Sequence, residues 1–200
     1  MTARNYSIRN TLAAMIVAAL ALPGAAFAAE YRIEKQPVAL PAFNLETDGG
    51  KPFTNADING SWSLILIGYT FCPDVCPTTL YDLSLLQGAI SEQYPDHPVP
   101  KVVFLAVDPD RDRELLPDYI SSFEGSFIGA TGAPDEISNV VSGLRGFVKY
   151  ENKDADGNYA VHHSATISLL NASGEVIARI NPPFDTDNIA ELVVNLMNNS

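Results

Sequence analysis

Apolar positions along this chain fall into two alternating patterns. Short unbroken runs, Leu64 to Ile67 and Val102 to Val107, predict strands buried on both faces, as in a parallel sheet. The first run extends to a strand over Trp62 to Tyr69, the second to one over Lys101 to Val107. Between them Leu80, Leu83, Leu86 and Ile90 recur at helical spacing. They predict a helix that starts near Pro77 and ends near Tyr94. A second amphipathic stretch carries Leu115, Leu116, Tyr119, Ile120 and Phe123, with Pro117 obscuring where it starts. Ser126 to Ala130 reads as a third strand. A helix follows Thr131-Gly-Ala-Pro134, with Ile137, Val140, Val141 and Leu144 on one face.

The remaining elements are shorter. Glu30 to Ala42 reads as an exposed lead-in, and Ala42 to Glu46 as a short alternating strand closed by the turn residues Thr47 to Gly50. Lys51 to Thr54 enters a loop, and Pro95 to Pro100 is a surface loop. Gly146 to Tyr150 and Ala160-Val161 flank a polar turn at Asp154-Ala-Asp-Gly157. Ala165 to Leu170 and Glu175 to Ile180, joined by Asn171-Ala-Ser-Gly174, form a β-hairpin. A final helix begins at Asp185 or Thr186 and buries Ile189, Leu192, Val193, Leu196 and Met197. Strands alternating with helices imply right-handed parallel crossovers, and the closing hairpin makes the sheet mixed. This is an α/β architecture compatible with a thioredoxin-like fold.

Residues 1–28 read as a signal peptide. Arg4 and Arg9 precede an uncharged apolar core, Thr11 to Leu22, and Ala26-Phe-Ala28 fits the small-residue cleavage rule. The expectation is export to the periplasm, with the segment either cleaved or retained as an inner-membrane anchor. Residues 29–200 form one domain, large enough to build a core without disulfides. The leader carries two arginines and no acids, so its removal takes the formal net charge from −12 to −14. That charge disfavours nucleic acid and anionic lipid as partners.

The chain has two cysteines, Cys72 and Cys76, at the turn between the first long strand and its helix. A disulfide closing so short a loop would stabilise weakly, so the pair points to chemistry. The nearby helix N-terminus should favour thiolate over thiol. Two thiolates can close as a disulfide or share a soft metal ion such as Cu(I) or zinc. They are too few for an iron–sulfur cluster or a closed zinc site. A third ligand would come from the histidines. His97 lies in a proline-rich loop and reads as a surface residue. His162 and His163 are adjacent in a strand-like stretch, so only one can face the cysteines. Asp154-x-Asp156-Gly157 matches a hairpin turn better than a calcium loop. Asp108, Asp110 and Asp112 read as a charged strand end leading into a helix. No serine nucleophile elbow, P-loop or dinucleotide fingerprint is present.

Gly68-Tyr-Thr-Phe-Cys-Pro-Asp-Val-Cys-Pro-Thr-Thr-Leu80 resembles the signature of the Sco/SenC family of copper-binding proteins. The likeness extends to Val107-Asp-Pro-Asp-Arg-Asp112, Phe127 to Gly132, and Tyr159-Ala-Val-His-His-Ser164. It implies a thioredoxin-like fold and a copper site built from Cys72, Cys76 and one histidine. The family histidine follows an Asp and precedes a Ser, which places it at His163; His162 stands where the family has the Asp. The resemblance further implies a metallochaperone that delivers Cu(I) or Cu(II) to the dinuclear copper centre of a cytochrome oxidase subunit. The alternative is a periplasmic thiol–disulfide oxidoreductase that uses Cys72 and Cys76 to reduce the cysteines of a copper-site partner.

Overall fold

A computed structural model describes residues 30–123 and 126–199; the predicted leader lies outside them. In chain order the first elements are β1 (Tyr31–Ala39), β2 (Asn44–Thr47), β3 (Pro52–Thr54), α1 (Asn55–Ile58) and β4 (Ser63–Gly68). Next come α2 (Val75–Gln93), β5 (Lys101–Ala106), α3 (Pro109–Ser121), β6 (Ile128–Thr131) and α4 (Pro134–Gly143). The chain closes with β7 (Val148–Tyr150), β8 (Val161–His163), β9 (Ile167–Leu170), β10 (Glu175–Ile180) and α5 (Thr186–Asn198). No helix among the described residues is long and apolar enough to cross a membrane.

Eight strands form one mixed sheet in the order β1-β10-β9-β4-β5-β6-β2-β3. The β4–β5 and β5–β6 pairs are parallel, and β4–β9 is antiparallel. The unbroken aliphatic run of β4 is explained by its central place. Leu64 and Leu66 enter the layer formed with α2, α3 and α5, while Ile65 and Ile67 enter the layer formed with α1 and α4. Strand β5 divides the same way, with Phe104 on the first face and Val103 and Leu105 on the second. Alternation along a strand thus serves two cores at once. Helix α2 places Leu80, Leu83, Leu86 and Ile90 in the first core, as its spacing predicts.

Several boundaries differ from the sequence reading. The lead-in is strand β1, paired antiparallel with β10 at the sheet edge. Its residues are mostly exposed, and its register shifts between Ile33 and Val38, around Pro37. An edge strand with a bulge needs no alternating pattern and tolerates proline, so the segment carries no strand signal. The loop after Lys51 contains β3 and α1, the latter capped reciprocally by Thr54 and Asp57. Helix α2 starts at Val75, two residues before Pro77. Proline is accommodated there because first-turn N–H groups have no intrahelical acceptor. Helix α3 runs from Pro109 straight through Pro117 and buries Leu116 and Ile120, leaving Leu115 exposed.

Leu83 lies fully buried at the centre of α2. Leu83→Ala should lower unfolding free energy by about 2–5 kcal/mol in chemical denaturation, through lost transfer energy and the cavity left behind.

Candidate metal centre

The chain leaves the carboxyl end of β4 at Gly68 and reaches α2 through Tyr69 to Asp74. Gly68 is dictated by packing. A Cβ there would stand 2.4 Å from the Phe104 ring and 3.0 Å from the Cys76 sulfur. The Cys72 amide donates to the Tyr69 carbonyl at 3.2 Å, and the Cys76 amide donates to Cys72 Sγ at 3.4 Å. Both cysteines are free thiols and buried, Cys72 8% exposed and Cys76 1%.

Strand β8 brings in the third side chain, His163. It pairs antiparallel with β7, His163 against Val148, as a separate two-stranded ribbon. His163 Nδ1 lies 3.0 Å from the Ser164 carbonyl oxygen. A carbonyl can only accept, so Nδ1 carries the proton and Nε2 keeps its lone pair. That Nε2 lies 3.7 Å from Cys76 Sγ. Metal–donor bonds of about 2.0 Å to nitrogen and 2.3 Å to sulfur span up to about 4.3 Å, so one ion can bridge the pair. The donor atoms of Cys72, Cys76 and His163 all lie within 4.8 Å of one another. Tyr69 packs edge-on against the His163 ring, centroids 5.6 Å apart.

The other sequence candidates fall elsewhere. His162 points to the opposite side of β8, is exposed, and places Nε2 2.7 Å from Glu151 Oε1. His97 meets Asn198 of α5 at 3.1 Å. Asp154 accepts from the amides of Asp156 and Asn158, so its carboxylate closes the β7–β8 turn. Asp112 is more than a helix-start acid. It is fully buried, and its Oδ1 accepts from the Thr70 amide at 2.7 Å and hydroxyl at 2.8 Å. It thereby anchors the cysteine turn. The signal was present in Asp108 to Asp112, but its partner lies 42 positions away.

The expectation of a favoured thiolate is overturned at Cys76. Burial is the largest influence and pushes this thiol well up, with the Cys72 hydrogen bond adding to it. Removal from water outweighs the helix N-terminus, which favours thiolate only where some hydration remains. Burial also lowers the His163 imidazole, against a smaller opposing effect of the Ser164 carbonyl. Both groups are therefore held neutral without a metal. Asp112 is pushed up by burial as well, with the Thr70 donors opposing the shift.

Two outcomes follow. Gly68→Ala should cost about 1–3 kcal/mol of stability by overpacking and should accelerate reaction of Cys76 with a thiol reagent, read by denaturation and labelling kinetics. A His163 value below the ordinary 6.5 means the unfolded chain binds the proton more tightly. The metal-free protein should therefore lose stability as pH falls below 6.5, and His163→Gln should remove that component of the denaturant-midpoint profile.

The SCO1/SenC family description matches residues 32–198. SCO1 homolog 1 from Arabidopsis thaliana mitochondria is 34% identical over 154 residues, covering 76% of this chain and 45% of that protein. A SCO2-like protein of Rickettsia prowazekii is 30% identical over 183 residues, covering 90% of this chain and 88% of that one. The chain spans about half the length of the curated mitochondrial relatives it matches. Among solved structures, Bradyrhizobium japonicum ScoI with copper bound superposes with a TM-score of 0.69 at 31% identity, covering 78% of this chain and 98% of that one. The mixed sheet flanked by helices is the thioredoxin-like fold of these Sco structures. With the family match running across almost every described residue, this chain belongs to the SCO1/SenC family.

Proposed function

We propose that this protein binds one copper ion through Cys72 Sγ, Cys76 Sγ and His163 Nε2 and hands it to the dinuclear copper centre of a cytochrome oxidase during assembly. The observation that carries the reading is the convergence of two buried sulfurs and one tautomer-fixed imidazole in a single cluster. Two thiolates suit Cu(I), and an added imidazole also accommodates Cu(II). Three protein donors leave a coordination position open, through which an accepting ligand can enter while the protein's own donors leave. Family membership and the copper held by the Bradyrhizobium and Arabidopsis ScoI structures support copper over zinc. Export to the periplasm, suggested by residues 1–28, would place the protein beside membrane-bound oxidase subunits.

The elevated Cys76 thiol sets the cost of loading. Copper must displace its proton, so binding weakens as pH falls. Oxidation of the two thiols to a disulfide would remove both sulfur donors and block loading. Burial and a raised thiol make Cys76 a poor attacking sulfur for a thiol–disulfide oxidoreductase, which needs exposure and a depressed pKa.

Anaerobic titration of the reduced protein with copper tests the reading. One ion per chain should bind, Cys72→Ser should abolish tight binding, and His163→Ala should alter the thiolate-to-Cu(II) absorption. Absence of tight binding together with a readily cycling Cys72–Cys76 disulfide would overturn it in favour of the reductase.

A further inference from the structure

The two backbone segments that carry the donor atoms come from different sheets, and their relative placement converges on the first turn of α3. On one side, Asp112 Oδ1 holds the Thr70 amide and hydroxyl, two residues before Cys72. Its Oδ2 accepts from the Asp108 amide at 2.9 Å, which closes the turn on itself. On the other side, Tyr159 stands two residues before β8, on the segment that leads into His163. Its hydroxyl donates to Asp108 Oδ1 at 2.7 Å, and its carbonyl accepts from Arg111 Nη1 at 3.1 Å. Arg111 Nε donates to Asp108 Oδ2 at 2.5 Å. The guanidinium also stacks on the Tyr159 ring, 3.8 Å from its centroid, with Phe71 of the cysteine turn 5.1 Å away. Arg111 is therefore sandwiched between the cysteine turn and the histidine ribbon, while Asp108 and Asp112 each bind one of them.

A two-stranded ribbon of three-residue strands has little stability of its own. Arginine suits the junction because its planar fork can donate to a carboxylate and a carbonyl while its face covers an aromatic ring. We propose that Asp108, Arg111 and Asp112 act as positioning residues that hold the His163 ribbon against the cysteine turn, so that Cys76 and His163 stay within reach of one ion. The inference rests on the three-ligand copper reading, and none of the three residues touches the ion.

The test compares Arg111→Met and Tyr159→Phe with the parent protein, each alone and combined with His163→Ala. Copper affinity is read by competition with a chelator, and imidazole coordination by nitrogen hyperfine coupling of the Cu(II) form. Supporting partners of metal ligands typically contribute 10- to 100-fold in affinity, so Arg111→Met should weaken binding on the order of 10-fold or more and diminish the nitrogen coupling. In the His163→Ala background the same change should add almost nothing, because the ligand through which it acts is gone. Amide exchange of the metal-free protein should speed up over Val161–His163 while that of α2 stays protected. Equal losses in both backgrounds, or unchanged coupling and exchange, would overturn the proposal. If Arg111→Met fails to fold, Tyr159→Phe decides, since it removes one hydroxyl and keeps the ring. Absence of nitrogen coupling in the parent protein would instead defeat the three-ligand reading, and the exchange measurement on metal-free protein would still judge the positioning role.

Discussion

The close approach of the Cys76 sulfur to the backbone of Gly68 is the contact on which the site depends. All six residues of β4 are buried, and its carboxyl end is paired with β5, Ile67 against Leu105 and Gly68 against Ala106, which holds that end in place. Phe104 and Cys76 fill the space a side chain at position 68 would take. The location of Cys76 is thus an outcome of core packing, with the precision that close-packed interiors impose. Cys72 is held differently, through local bonds to Tyr69 and Cys76, and stays nearer the surface. One sulfur is fixed by the core and the other by the turn, an asymmetry that suits a site with a solvent-facing side.

Burial sets the electrostatics of the same cluster. Removal from water raises the Cys76 thiol and lowers His163, so both rest in their neutral forms. An isolated thiolate there would lack hydration, whereas a cation compensates the charge it induces. These two donors are consequently uncharged without a metal, and Cys76 becomes ionic only on binding. A nucleophilic cysteine requires the reverse arrangement, a thiolate that persists with no partner bound.

Elements with strong periodicity were legible in the sequence. The buried runs of β4 and β5, the four aliphatic positions of α2 and the β9–β10 hairpin appear as expected, because one face or both of each is enclosed. Strand β1 was not legible, since an edge strand gains its order from β10 rather than from its own pattern. The cysteines announced themselves by spacing and flanks, and His163 by strand alternation together with the family motif. The protonation of Cys76 was hidden, because sequence reveals a helix N-terminus but not the depth at which it lies. Asp112 was hidden for a related reason. Its acid sits at a helix start, where solvated carboxylates are common, and only the fold brings Thr70 to it.

The part that His162 plays follows from its place on the ribbon. Successive residues of β8 face opposite ways, so a side chain at 162 cannot reach the sulfurs that His163 meets. His162 pairs instead with Glu151 across the exposed face. An exposed pair of this kind contributes little, and only when the imidazole is charged. His162 therefore sets surface charge beside the site and stands outside the cluster of Cys72, Cys76 and His163. The donor geometry answers to attachments on the ribbon's inner side, where Ser164 binds the Phe147 backbone and the Tyr150 hydroxyl reaches the Val107 carbonyl. The Tyr150 bond ties the ribbon to the end of β5, next to the strand that carries Gly68.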